Sequence, residues 1–171
     1  MAPYTLYTPS TMNTLKSFCA AAALCCVASA AQAQVPQYGT NINLEMARKV
    51  IAAAVVDSRR QNLPMAIAVV DTAGQLVAFE RMDNTQTASI AVSQDKAVSA
   101  AIYRRPTKVF QDLLAAGGVG LRVLTLRGAN AVEGGLPLIV DGRIIGAVGV
   151  SGGTSDQDGV VAKAGVDALA K

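Results

Sequence analysis

Histidine is absent from all 171 residues, and so is tryptophan. The three cysteines, Cys19, Cys25 and Cys26, all fall within one short apolar run near the amino terminus. Beyond that run the chain therefore has neither thiol nor imidazole. This excludes disulfides, thiolate catalysis, Ser-His-Asp and Cys-His machineries, and metal sites built on cysteine or imidazole. Aromatic residues make up only 4% of the sequence, so the core has to be built from Ala, Val, Ile and Leu. No basic run occurs, and the net charge is only +3, which argues against a nucleic-acid partner.

The cysteine-bearing run has a function of its own. Met12-Asn13-Thr14-Leu15-Lys16 starts a second amino terminus inside the first, and a lone lysine leads into apolar residues from Phe18 to Ala31. Ala31-Gln32-Ala33 supplies a small-residue cleavage site. This is the build of a secretory signal peptide, too short for a membrane span. The sequence thus predicts export to the periplasm or beyond, with cleavage after Ala33 and no membrane association afterwards. Residues 1–11 read as an upstream extension, 34–42 as an irregular arm, and 43–171 as one domain.

Within the domain, Asn43 is expected to cap a helix whose Leu44, Ala47, Val50, Ile51, Ala54 and Val55 recur at helical spacing. Met65 to Val70 reads as a strand covered on both faces. Asp71-Thr72-Ala73-Gly74 turns it, and Gln75 to Met82 returns as its hairpin partner. Thr85 to Tyr103 reads as a second helix with a stripe of Ile90, Ala91, Ala97, Val98, Ala101 and Ile102. Gln94 projects into that stripe as a buried polar group, and Lys96 points almost opposite to it. A shorter helix is expected from Pro106 to Ala116, a short strand over Val119–Arg127, and a last helix capped by Ser155 or Asp156.

The strongest local signal lies between residues 134 and 153. Two apolar runs flank Asp141-Gly142, the pair that a type I′ hairpin turn prefers because both central residues need positive φ. Glycines at 134, 135, 146, 149, 152 and 153 weaken strands unless another backbone comes close. Hairpins in place of strand–helix–strand alternation predict an α+β fold, an antiparallel sheet flanked by helices.

Several segments, taken in order, resemble one known family. They are Asp71-x-x-Gly74, Arg81-Met82-Asp83, Lys96-Ala97, Gly134-Gly135-x-Pro137, Asp141-Gly142-x-x-x-Gly146-x-x-Gly149-Val150-Ser151-Gly152, and Gln157-Asp158. Together they resemble the GlcG/HbpS-like haem-binding family, also called haem-degrading, whose domain recurs at the carboxyl end of PduO-type cobalamin adenosyltransferases. The resemblance implies a profilin-like or GAF-like sandwich on about five strands, and a homo-oligomer of up to eight subunits. It also implies haem, a haem-related molecule or another carboxylate-bearing compound as ligand.

The ligand-binding candidates are Arg81, Asp83, Lys96, Gly134, Gly135, Ser151 and Gly152. Arg81 can hold a carboxylate as a bidentate donor or pair with Asp83 to pin a strand end. Met82 can offer iron a soft ligand or fill the core. Lys96 is either a solvated lysine or one that faces a second layer or a neighbouring subunit. Gly134-Gly135 and Ser151-Gly152-Gly153 meet at the hairpin's open end, as an anion site beside a helix start or as tight turns. Without histidine or cysteine, a haem iron is left with Tyr38, Tyr103, Met82, a lysine or a hydroxyl such as Thr85 or Thr87. Two further readings stand beside small-molecule binding. One is a catabolic enzyme or accessory protein using Arg81, Asp83 and Lys96 as an acid/base and carboxylate-orienting set. The other is a structural or regulatory oligomer partnering a sensor system.

Overall fold

The computed structural model describes Met1 and residues 35–170, and Val35–Lys171 forms one compact unit. The expected leader and its cleavage site lie outside the described residues. In chain order the elements are β1 (Gln37–Tyr38), α1 (Leu44–Arg60), β2 (Ala66–Val70), β3 (Leu76–Arg81), α2 (Ser89–Tyr103), α3 (Lys108–Ala116), a 3₁₀ helix (Gly118–Thr125), β4 (Gly135–Val140), β5 (Arg143–Ser151) and α4 (Ser155–Asp167). Among the described residues, no helix is long and apolar enough to cross a membrane.

The sheet is mostly antiparallel. β5 pairs with β4 on one edge and β2 on the other, and β3 continues beyond β2. The arm adds the two-residue β1, parallel to the first residues of β5. The β4–β5 loop has only Asp141 and Gly142, at φ 50° and 71°, as the type I′ turn requires. Asn43 caps α1, its side chain accepting from the Met46 N–H at 2.8 Å. At α4 the cap is Thr154, in place of the expected Ser155 or Asp156, and it forms a capping box with Gln157.

Two cores of different grain lie on the two sheet faces. Ile67, Val69, Leu138, Val148 and Val150 pack with the apolar residues of α1 and α4. On the other face Ala68, Val70 and Ala147 meet Ala97, Ala100 and Ala101 of α2. The reason is a row of three partnered residues, Gly135, Gly149 and Ala68, across β4, β5 and β2. A Cβ on Gly149 would stand 2.0 Å from the Ser93 carbonyl oxygen, and one on Gly135 would stand 2.3 Å from that of Lys96. The α2 backbone thus rests directly on the sheet, and only small side chains fit between.

That contact rotates α2 away from the expected apolar stripe. The buried face carries Ser89, Ser93, Lys96, Ala97, Ala100 and Ala101, whereas Ala91 is exposed and Ile102 is 38% exposed. Gln94 is half-buried and donates to the Ile90 carbonyl. Ser89 also starts the helix four residues later than expected, because Thr85 is folded into a turn on the Met82 carbonyl.

The expected strand over 119–127 is the 3₁₀ helix. Its Gly120 lies where a Cβ would stand 1.9 Å from the Leu113 carbonyl oxygen, and Val123 is its only buried large side chain. The alternation of Leu121, Val123 and Thr125 therefore marks one inward residue per turn and not one face of a sheet.

Candidate functional site

The candidate residues separate into two places. The first is the open end of the β4–β5 hairpin, where Gly134, Gly135, Ser151 and Gly152 meet Lys96. Of the two readings left open for Lys96, the solvated one is excluded, since the residue has no exposed surface and its side chain reaches β5 and α4. Its Nζ donates to Asp158 Oδ2 at 2.6 Å and to the Val150 carbonyl at 3.1 Å. Asp158, on the first turn of α4, is also buried, and its Oδ1 accepts from the Gly153 N–H at 2.9 Å. Gly134 leaves the room: a Cβ there would stand 2.9 Å from Lys96 Nζ and 2.7 Å from the Val150 oxygen.

Burial dominates the electrostatics of this pair. It pushes the Lys96 ammonium below its ordinary range, against the hydrogen bond that it donates to Asp158. It pushes the Asp158 carboxyl up, against the hydrogen bond that it accepts from Lys96. Both shifts are the response of a charged group moved out of water. Around the pair, Gly135 N–H donates to Thr107 Oγ1, and Ser151 Oγ donates to Ser89 Oγ. Every candidate at this end therefore already has a partner within the chain or is closed over by it.

The second place is the far end of β3. Ala66 is paired with Ser151 on one side and with Arg81 on the other. Two strand spacings, about 10 Å, thus separate Arg81 from the hairpin end. Two adjoining depressions open here, of about 430 and 290 Å³, and Arg59, Met82 and Asp83 line both. Asn62, Leu63, Pro64 and Asn84 complete the larger one, Glu80 and Arg81 the smaller.

The Arg81–Asp83 pair, one of the two alternatives that the sequence left open for Arg81, is not formed. Among the described residues, no ion pair or side-chain hydrogen bond involves Arg59, Glu80, Arg81 or Asp83. Arg81 and Asp83 lie in one groove and Lys96 is sealed elsewhere, so these three residues do not form a joint acid/base set.

Three of the four hydroxyl-bearing residues offered for iron, Tyr38, Tyr103 and Thr85, are committed, while Thr87 is exposed. Tyr38 donates to the carbonyls of Ala101 and Ile102, Tyr103 to that of Arg127, and Thr85 to those of Met65 and Met82. A third depression, of about 320 Å³, lies under the arm and carries Met46 and Arg143. Two participants escaped the sequence reading. Arg59 lies in none of the segments that carry the family resemblance, and Asp158 entered only beside Gln157 as one of them.

Comparison with known proteins agrees with this architecture. Residues 42–167 match the family model "Haem degrading protein HbpS-like". Protein GlcG of Escherichia coli is 42% identical over 110 residues, which span 64% of this chain and 81% of that one. The structure of a doubly substituted HbpS from Streptomyces reticuli is 28% identical, covers 78% of this chain and 90% of its own, and superposes with a TM-score of 0.70. A PduOC–haem complex shares the fold at 24% identity and a TM-score of 0.69, over 76% of this chain and 96% of its own. With its two hairpins, its glycine-seated helix and this match over most of its length, the chain belongs to the HbpS-like haem-degrading family.

Proposed function

We propose that this protein binds a small carboxylate-bearing ligand, haem foremost, in the groove at the end of β3. The observation that carries the reading is the pair of guanidinium groups, Arg59 and Arg81, which border one groove without a carboxylate partner among the described residues. A site of this volume matches small-molecule pockets in general, and arginine is the side chain best shaped to hold carboxylates. The family's description and the haem complex of a protein with this fold support the choice of haem.

Haem, when bound, would supply an iron and two propionates. Arg59 and Arg81 would hold the propionates, and Leu63, Pro64 and Met82 would offer the apolar part of the lining. Asn62 and Asn84 remain for polar edges. Titration of the purified protein with haemin tests the reading: a saturable Soret shift at micromolar haemin is expected, weakened by Arg59→Ala and by Arg81→Ala. Absence of any saturable shift removes haem as the ligand.

Two further parts of the proposal concern place and assembly. The protein is exported on the Met12–Ala33 leader, and amino-terminal sequencing of the exported form is expected to begin at Gln34. It also works as a homo-oligomer, which explains why Val119 and Leu124 on the 3₁₀ helix are 77% and 73% exposed. Light scattering is expected to give a mass several times that of one chain.

A further inference from the structure

We infer that the depression under the arm is a second binding site, built for a small monocarboxylate with an apolar body. It lies at the other end of the sheet from the β3 groove. Arg143 opens β5 and Ser151 closes it, so about 26 Å of strand separates them. Ser151 pairs with Ala66, which pairs in turn with Arg81. The two places therefore share no residue.

The floor is apolar and faces one side of the sheet. Val140 stands directly opposite Arg143 across the β4–β5 ladder, so their side chains share a face. That face is the one covered by α1 and α4, because Ile145 belongs to the larger core and Val140 and Met46 pack against it. These three apolar residues line a depression of about 320 Å³, a size that suits a small molecule.

The arm is the wall, and it is preformed. The Gly39 and Ile42 N–H groups donate to the Ile144 and Ile145 carbonyls at 2.8 and 2.7 Å. Asn41 Oδ1 accepts from the Thr72 N–H at 3.2 Å and from Thr72 Oγ1 at 2.5 Å. Gly39 also fixes where the Arg143 stem runs. A Cβ on Gly39 would stand 2.9 Å from Arg143 Cβ and 3.5 Å from its Cδ, so the stem lies along the wall.

At the end of that stem the guanidinium has one long contact, from Nη1 to the Tyr38 carbonyl at 3.5 Å. It has no carboxylate partner among the described residues. Its donors are thus free for a carboxylate. Asp141 borders the same depression without pairing to it. One guanidinium beside one carboxylate can hold a single negative charge and works against a second.

The test labels the methionine methyl groups of the full chain with carbon-13 and identifies the Met46 signal by Met46→Leu. Titration with 3-phenylpropionate should move that signal saturably. The neutral alcohol 3-phenylpropan-1-ol should bind about tenfold more weakly, the scale of one charge-assisted hydrogen bond. Phenylsuccinate, a dianion, should bind no more tightly than the monocarboxylate. Arg143 is exposed, so Arg143→Gln is expected to fold, and it should abolish the advantage of acid over alcohol. An unmoved Met46 signal overturns the inference, as does equal affinity for acid and alcohol in the parent or tighter binding of the dianion. A saturable shift confined to Met82 also overturns it, because the probe then occupies the β3 groove.

Discussion

The two ends of the β5–β2–β3 ladder carry charge in opposite ways. At the hairpin end, Lys96 and Asp158 are buried, bonded to each other and to the backbone of residues 150 and 153. At the β3 end, Arg59, Glu80, Arg81 and Asp83 border an open groove with no partner among the described residues. The first arrangement holds three elements together and has nothing left over for a ligand. The second gives up internal pairing and keeps its donors available. Position in the family pattern alone does not distinguish these roles, since both ends supply motif residues.

The widest separation between the two ends is expected in stability. Lys96→Ala leaves the Asp158 carboxylate buried and unpaired, which costs about 3–5 kcal/mol, whereas Lys96→Met with Asp158→Leu removes both charges and comes near neutrality. Arg59→Ala and Arg81→Ala should each stay within about 0.5 kcal/mol of the parent. Urea denaturation measures all four. A comparable loss at Arg81 would show that the β3 end is structural after all.

Next in size is the seat of α2. Gly149→Ala sets a methyl group against the Ser93 carbonyl and is expected to cost about 1–3 kcal/mol, as overpacking does. Thermal unfolding should register it, and an unchanged midpoint would mean that α2 does not lie on the glycine row. Ligand affinity comes third. Arg59→Ala and Arg81→Ala should each weaken haemin binding about tenfold, the scale of one charge-assisted hydrogen bond, and added salt should weaken the parent more than either variant.

The smallest effect is in pH dependence. Burial raises the Asp158 carboxyl above its unfolded value, so the folded state holds the proton more tightly than the unfolded chain does. Its contribution to stability therefore grows as pH falls through the raised value towards the ordinary carboxylate range, and is lost as pH rises again. The double variant Lys96→Met/Asp158→Leu lacks this term. Its stability relative to the parent should decline on acidification from neutral, as read by denaturation at a series of pH values.

How much of this was legible follows from what each signal measures. Local chemistry was direct: Asp141-Gly142 fixed a turn, Asn43 a cap, and the uninterrupted apolar run over 66–70 a strand buried on both faces. The glycines were legible as close packing, but not what packs there, because the helix that settles on Gly135 and Gly149 is distant in sequence. For the same reason the α2 stripe was misjudged. Hydrophobic periodicity favours Ile90 and Ile102, while the glycine row selects small residues and admits Ser89, Ser93 and Ala97. Lys96 stayed open between solvent and a second layer, because its partner Asp158 lies 62 positions away. Arg59 carried no signal, since only the fold brings the end of α1 beside Met82 and Asp83.

The most direct measurement of the central claim, that recognition belongs to the β3 end and the hairpin end is structural, compares two double variants in one haemin titration. Arg59→Ala/Arg81→Ala should lose about a hundredfold in affinity, while Lys96→Met/Asp158→Leu should keep the parent's affinity to within about threefold. Loss of binding in the second variant, with the first binding as the parent does, would contradict the account and move the site to the hairpin's open end.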